Sequence, residues 1–335
     1  MTAPEIALVW LNGPDIERLA LTDEEILAAV EGALRAQGLG QTVIEPRTHL
    51  EPDPAFHGHF NVLRGYVAPL GLVGVKIVGD YVDNYKLGLS SEMALLNLFD
   101  PKTGMPVAIL DATAITEMRT GALTALGAKY LARKNSRILA HIGARGTAYW
   151  NVRLLDRLFG FEEIRVHSRR RESREHFAAR LAADLGRPIM STEDWESCVT
   201  GADIVVEASR LAEPEPLLKT KWIKPGALVM PYGTMSAVEL SLTDIMAKVV
   251  MDDRGQLRAG RKGALRQHVD AGKLTEATLY AELAEIVVGA KPGRESGKET
   301  ILFWHRGLSL SDIAVGHALL QKAKRLGVGQ SLRYA

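Results

Sequence analysis

Ile138-Leu139-Ala140-His141-Ile142-Gly143-Ala144-Arg145-Gly146-Thr147-Ala148 is the stretch on which the reading of the chain turns. Five residues suited to a buried strand run into two glycines and then into a helix start. In that arrangement backbone N–H groups and a helix N-terminus can receive a pyrophosphate. In the standard spacing the second glycine stands where this chain has Arg145; here it comes one residue later, at Gly146. A tight strand-to-helix turn needs no ligand to exist, so the turn alone leaves nucleotide binding open.

Downstream, strand and helix patterns alternate. Strands are expected at 138–142, 164–167, 204–208 and 228–231, with helices from about 147 and over 172–185. Strands spaced by helices mean βαβ units and a parallel sheet. The continuous apolar runs Ile204-Val205-Val206 and Val249-Val250-Met251 suit strands covered on both faces. Helical spacing returns over 281–288 and again over 313–326. The second strand ends in Val166-His167-Ser168-Arg169-Arg170-Arg171. Arginines there suit the extra phosphate of NADP better than the bare ribose of NAD, with Ser168 and Arg169 the better placed. A solvated basic loop opening a helix explains Arg170 and Arg171 equally well.

Upstream, the apolar spacing of Ile26, Ala29, Val30, Ala33 and Leu34 behind Thr22-Asp23-Glu24-Glu25 predicts a capped amphipathic helix over 22–38. Short strands follow at 43–46, 59–63, 72–78, 93–99 and 107–111, then a long helix over 115–132. The fold class expected is α/β: a Rossmann-type parallel-sheet domain over 120–312, plus a smaller α/β domain over 1–119 that a C-terminal helix over 313–335 rejoins.

Composition narrows the function classes. Across 335 residues, 41 Lys and Arg face 40 Asp and Glu, so no overall positive field exists to hold a nucleic acid. The single cysteine, Cys198, excludes an intrachain disulfide and a cysteine-rich zinc site. The apolar stretch 6–11 is far below the roughly 20 residues of a membrane span. A soluble, cytoplasmic protein without nucleic-acid or membrane partners is the expectation.

Several stretches, in order, resemble the ornithine cyclodeaminase and mu-crystallin family. They are Pro46-Arg47, Gly74-Val75-Lys76-Ile77-Val78, Asn84 with Gly88-Leu89, Ala108-Ile109-Leu110-Asp111 and Ile115-Thr116-Glu117-Met118-Arg119-Thr120-Gly121-Ala122. Gly201-Ala202-Asp203-Ile204-Val205-Val206, Pro225-Gly226 and Gly307-Leu308-Ser309-Leu310-Ser311-Asp312 continue the pattern. The resemblance implies a homodimer whose first domain carries the substrate site and pairs with its twin, followed by a Rossmann domain. It also implies an NAD(P)-dependent oxidoreductase that acts at the C–N centre of a small imino or amino acid. Arg47, Lys76 and Arg119 would hold the carboxylate, with Lys76 and Arg119 catalytic. The cofactor, NADP ahead of NAD, would be held by Ser91, Arg119, Thr120, Gly143, Ala144, Arg145, Gly146, Thr147, Ala148, Ser168, Arg169, Ser209 and Gly307.

Read without the family, Arg47 is an ordinary surface or interface cation. Lys76, set among apolar neighbours, must emerge at a strand end or meet an anion, since an unpaired buried ammonium is costly. Arg119, read as lying in the first turn of a helix, stands at the wrong end of the macrodipole, and either a bound anion or a salt bridge would relieve it. Cyclodeaminases of the family carry an aspartate soon after the strand that here ends near Pro231; Tyr232-Gly233-Thr234-Met235-Ser236-Ala237-Val238-Glu239-Leu240 has none. That absence weighs against cyclodeamination; a redox-neutral, ammonia-releasing lyase, and a non-catalytic binding protein on the same scaffold suggested by Arg145 and the missing aspartate, stand as the alternatives. His57 and His59 offer two imidazoles to a metal but no third ligand, and the basic residues within 258–266 read as a solvated loop. His305 and Arg306 precede the Gly307 turn, which the family resemblance sets against the nicotinamide, and so would shape the pocket.

Overall fold

The computed structural model describes residues 5–258 and 262–335. The chain divides into two compact units, one of Met1–Arg119 with Leu308–Ala335, the other of Thr120–Gly307.

The first unit opens with β1 (Ala7–Leu11), α1 (Gly13–Leu19) and α2 (Asp23–Gly38). Thr22 caps α2 through a reciprocal box with Glu25, as its Thr-x-x-Glu start predicts. Then come β2 (Thr42–Leu50), β3 (Gly58–Val67), β4 (Leu72–Tyr81), β5 (Glu92–Phe99) and β6 (Pro106–Asp111), ahead of the long α3 (Thr113–Leu131). β2 outruns the sequence expectation because the chain passes Pro46 through a bulge between Glu45 and Thr48. Proline is tolerated there because β2 is an edge strand.

The second unit holds β7 (Ile138–Ile142), α4 (Ala148–Phe159), β8 (Glu163–His167), α5 (Arg171–Leu185), β9 (Met190–Ser191), α6 (Trp195–Val199), β10 (Ile204–Glu207) and β11 (Leu228–Pro231). It continues with β12 (Lys248–Met251), α7 (Arg266–Asp270), β13 (Ala281–Glu282), α8 (Leu283–Val287) and β14 (Ile301–Trp304). Its sheet order is β13-β12-β14-β11-β10-β7-β8-β9, and every pairing is parallel. From β9 to β11 that is the doubly wound order 3-2-1-4-5, with its reversal between β7 and β10, where such sheets open a ligand crevice at the strand carboxyl ends. The helix expected over 281–288 is shorter: Ala281 and Glu282 instead pair with Val250 and Met251 as an edge strand.

The chain then returns to the first unit as α9 (Ser309–Leu326) and β15 (Gln330–Arg333). This corrects the C-terminal helix expected over 313–335. It starts earlier because Ser309, Ser311 and Asp312 are polar residues on a buried turn, which apolar spacing passes over. It stops at Gly327, which takes the left-handed conformation (φ 64°), and β15 then pairs antiparallel with β1. The first unit's sheet runs β15-β1-β6-β5-β4-β3-β2. α9 crosses one face over β3, β4 and β5. Gly74 permits the approach, since a Cβ there would collide with Ile313. The other face leaves Ile77, Met93 and Leu95 at 42, 46 and 46% exposed.

Candidate active site

Lys76 neither emerges nor stays unpaired. It sits mid-strand in β4, opposite Leu63 and Leu96 on its neighbours, with its side chain fully buried beneath α9. Its ammonium donates to Asp312 Oδ1 at 2.7 Å and to Thr116 Oγ1 at 3.1 Å. Arg119 Nε donates to the same Asp312 oxygen at 2.8 Å. Two buried cations thus share one carboxylate, and the trio keeps one net positive charge when Lys76 is protonated. Burial first, and then the Arg119 charge, lower the Lys76 pKa to about 7, against the opposing pull of Asp312 and Glu92.

Arg119 is not in a first turn: α3 begins at Thr113, so its macrodipole carries little weight at this position. The salt bridge to Asp312, not a terminus effect, accommodates it. Arg47 lies half-buried at the β2 bulge, and Ser91 is half-buried just before β5. Asp312 is the functional candidate that sequence reasoning passed over. The signal was an acid among Leu310, Ile313, Ala314 and Val315, all of them buried.

In the second unit the turn after β7 has the features of an anion cradle. Gly143 takes φ 109°, and a Cβ on it would stand 2.6 Å from the carbonyl oxygen of Ala208. Gly146 takes φ 55° with open space where a Cβ would go. Thr147 precedes α4 without a side-chain cap, so backbone N–H groups of the first turn are not capped by that side chain. Ala144 is half-buried, Arg145 exposed and Ala148 buried. At the end of the adjacent β8, Ser168 is half-buried and Arg169 exposed.

A polar chain braces this turn. Burial pushes the His141 pKa down to about 4, so the ring is neutral at physiological pH. Its Nδ1–H then donates to the Gly143 carbonyl at 3.0 Å, and Nε2 accepts from Asn151 at 3.0 Å. The Tyr232 hydroxyl meets both Asn151 and, at 2.6 Å, Thr147 Oγ1. His305 stacks on Tyr232 at 4.6 Å and meets Thr124 Oγ1 at 3.0 Å. Glu207 at the end of β10 accepts from the Ser209 backbone N–H at 2.7 Å. Burial raises its pKa to about 7, with donors on Ser209 and Gly233 opposing. Thr120 is buried in α3, and Asp252 accepts from the backbone of Arg306 and Gly307, both at 2.9 Å.

His57 is not on a strand beside His59. It ends a short turn with φ 49° and pairs with Asp83 at 2.9 Å, while His59 is buried in β3. Among the described residues no three His, Cys, Asp or Glu side chains gather as a metal site. In the basic loop Arg258 pairs with Glu276 and Arg266 with Asp270; Arg261 lies outside the described residues. No helix among the described residues is long and apolar enough to cross a membrane.

An alanine dehydrogenase of Archaeoglobus fulgidus is 30% identical over 333 residues, covering 95% of this chain and 99% of that protein. The structure of Thermococcus litoralis Delta(1)-pyrroline-2-carboxylate reductase in complex with NADH and L-proline matches with a TM-score of 0.90 at 30% identity, covering 97% of this chain and 100% of that one. An archaeal alanine dehydrogenase dimer with bound NAD matches at 0.89 and 28%, covering 98% and 100%. The ornithine cyclodeaminase/mu-crystallin family model matches residues 9–326, and the chain belongs to that family.

Proposed function

We propose that this protein is a nicotinamide-dependent oxidoreductase that moves a hydride to or from the carbon that carries nitrogen beside the carboxylate of an imino or amino acid. The observation that carries the reading is the buried Lys76–Asp312–Arg119 trio, one side of which titrates near neutrality. The relatives act on this class of compound by their names, an alanine dehydrogenase and a pyrroline carboxylate reductase.

The turn at Gly143 fits a dinucleotide, because Gly146 leaves open space where a Cβ would go and the Thr147 side chain leaves the first turn of α4 uncapped, while Gly143 lets the turn pass close to the Ala208 backbone. When bound, the nicotinamide supplies or accepts the hydride. The chain's own residues do the rest. Arg47 and Arg119 hold the substrate carboxylate by charge-assisted hydrogen bonds. In the reductive direction Lys76 gives a proton to the substrate nitrogen as the C=N carbon takes hydride, and regains it from water; in the oxidative direction it takes that proton. Tyr232 to Leu240 lacks the aspartate that ammonia loss would need, so simple redox is favoured over cyclodeamination.

Steady-state assay of a panel of cyclic imino acids and of keto acids with ammonia, against NADH and NADPH, tests the reading. No nicotinamide oxidation with any of them, and no reduction with amino acids, would remove it. For the cofactor, Ser168 and Arg169 at the end of β8 favour NADP. Arg169→Ala is expected to raise the KM for NADPH about tenfold or more and to leave that for NADH nearly unchanged, since one charged hydrogen bond is worth roughly 1.5–3 kcal/mol. Equal effects on both would place Arg169 away from the 2′-phosphate.

The assembly proposed is a homodimer joined through the open face of the first unit's sheet. Ile77 and Leu95 stand directly opposite each other there, and an apolar sheet face of this kind is normally covered. Ile77→Glu with Leu95→Glu is expected to convert a dimer to a folded monomer in light scattering, because both side chains are exposed within the single chain. A dimer that persists would move the interface elsewhere.

A further inference from the structure

We infer that Asp312 is a positioning residue for the proposed proton transfer: it and Thr116 fix two of the three N–H bonds of the Lys76 ammonium, and so aim the third at the substrate nitrogen. The inference rests on the function proposed above and deepens it.

The geometry is specific. Asp312 Oδ1 takes one N–H at 2.7 Å, and Thr116 Oγ1 takes a second at 3.1 Å. Thr116 can accept because its own hydroxyl proton goes to the Ala112 carbonyl at 2.7 Å. The third N–H has no partner among the described residues, although the side chain is fully buried. A tetrahedral ammonium held at two corners has its third direction set, which removes the rotational freedom a lysine stem would otherwise bring to a reaction. Asp312 itself is held rigidly: it lies in the first turn of α9, where the helix dipole favours a carboxylate, and Arg119 Nε anchors the same oxygen. The charged groups acting on Lys76 are Arg119 from α3, Asp312 from α9 and Glu92 from β5. Asp312 is the hydrogen-bonded anion of the set, so besides setting the aim of Lys76 it raises the pKa that burial and Arg119 lower.

Asp312→Asn tests this in two readouts. Lys76 must be protonated to reduce and neutral to oxidise, so in both directions the rate limb that reports it is expected to move to lower pH, by about one unit or more, with kcat at least about tenfold down. The second readout needs no turnover. Lys76 has a folded pKa below its unfolded value, so the unfolded chain binds more protons between them, and stability rises with pH from about 7 towards 10.5. In Asp312→Asn that rise should begin at lower pH. An unmoved limb together with an unfolding profile parallel to wild type overturns the inference. Should the Asn variant fail to fold, Asp312→Glu keeps the charge but displaces the ammonium by a methylene: a limb in place with kcat reduced is expected, and an undiminished kcat overturns it. If wild type proves inactive, the proposed reaction falls while the unfolding profiles still report whether Asp312 governs Lys76.

Discussion

Lys76→Met is expected to lower kcat by about a thousandfold while the protein stays folded, since a positioned acid or base contributes roughly 10²–10⁴ in rate. Methionine nearly matches the lysine stem in length and is at home in a buried site. It also leaves the Asp312–Arg119 pair intact at 2.8 Å, so no unpaired charge is created. Alanine would confound the result with a cavity that costs about 2–5 kcal/mol for a large side chain. The division between kcat and KM decides the role. If Lys76 only grips the carboxylate, KM rises and kcat is kept; if it carries the proton, kcat falls. The pH dependence of stability gives a second check. Wild type gains stability as pH rises from about 7, where the folded-state lysine loses its proton, towards 10.5, where the unfolded one does. The Met variant should lose that rise and be relatively more stable at neutral and acid pH. Assay by nicotinamide absorbance and thermal unfolding across pH measure both, and wild-type kcat in the variant would remove Lys76 from the chemistry.

What could be read from the chain and what could not separate along one line: local pattern against distant partner. The turn at Gly143, the Thr22–Glu25 capping box and the parallel strands of the second unit all follow from residues within a few positions of one another. β2 ran past Pro46 because an edge strand has no ladder partner on one side to lose, a fact about sheet order that no local window contains. α9 began early for a similar reason. Its first turn buries Ser309, Ser311 and Asp312, polar residues that only tertiary partners can justify: Ser309 Oγ donates to the Arg64 carbonyl at 2.8 Å.

The site divides in the same way. Lys76 was legible because a cation inside an apolar strand demands an explanation. Its partner was not, since Asp312 is 236 positions away. The resemblance pointed Lys76 and Arg119 at a substrate carboxylate, and the structure adds that a carboxylate of the chain itself already joins them. The brace of His141, Asn151 and Tyr232 behind the turn after β7 was equally hidden. Its members come from β7, α4 and the loop after β11, and each alone is an ordinary polar residue. Tyr232 falls in the segment whose missing aspartate argued against cyclodeamination, so that segment is tied to the turn after β7.

Gly143→Ala is expected to weaken binding of reduced nicotinamide nucleotides by more than about a hundredfold and to destabilise the fold by roughly 2–4 kcal/mol. Two independent penalties meet at this position. A φ of 109° is strained for any L side chain, and the new Cβ would stand 2.6 Å from the Ala208 carbonyl oxygen. Neither partner can yield cheaply. The Gly143 N–H is bonded to His167 O at 2.9 Å and the Ala208 N–H to Ile142 O at 2.9 Å, so both belong to the carboxyl ends of paired parallel strands. Relief requires β7 and β10 to part where the sheet order reverses, and that opening is where the pyrophosphate would sit. Gly146→Ala is the control. Its φ of 55° is one that alanine adopts at a cost of about 1–2 kcal/mol, and nothing lies within 4 Å of the added carbon. It should bind the nucleotide within about tenfold of wild type, a difference of roughly 1.4 kcal/mol. Calorimetric titration of both variants with NADH and NADPH separates the cases. If Gly143→Ala binds as well as Gly146→Ala, the turn after β7 is only a tight turn, and the nucleotide must be held elsewhere.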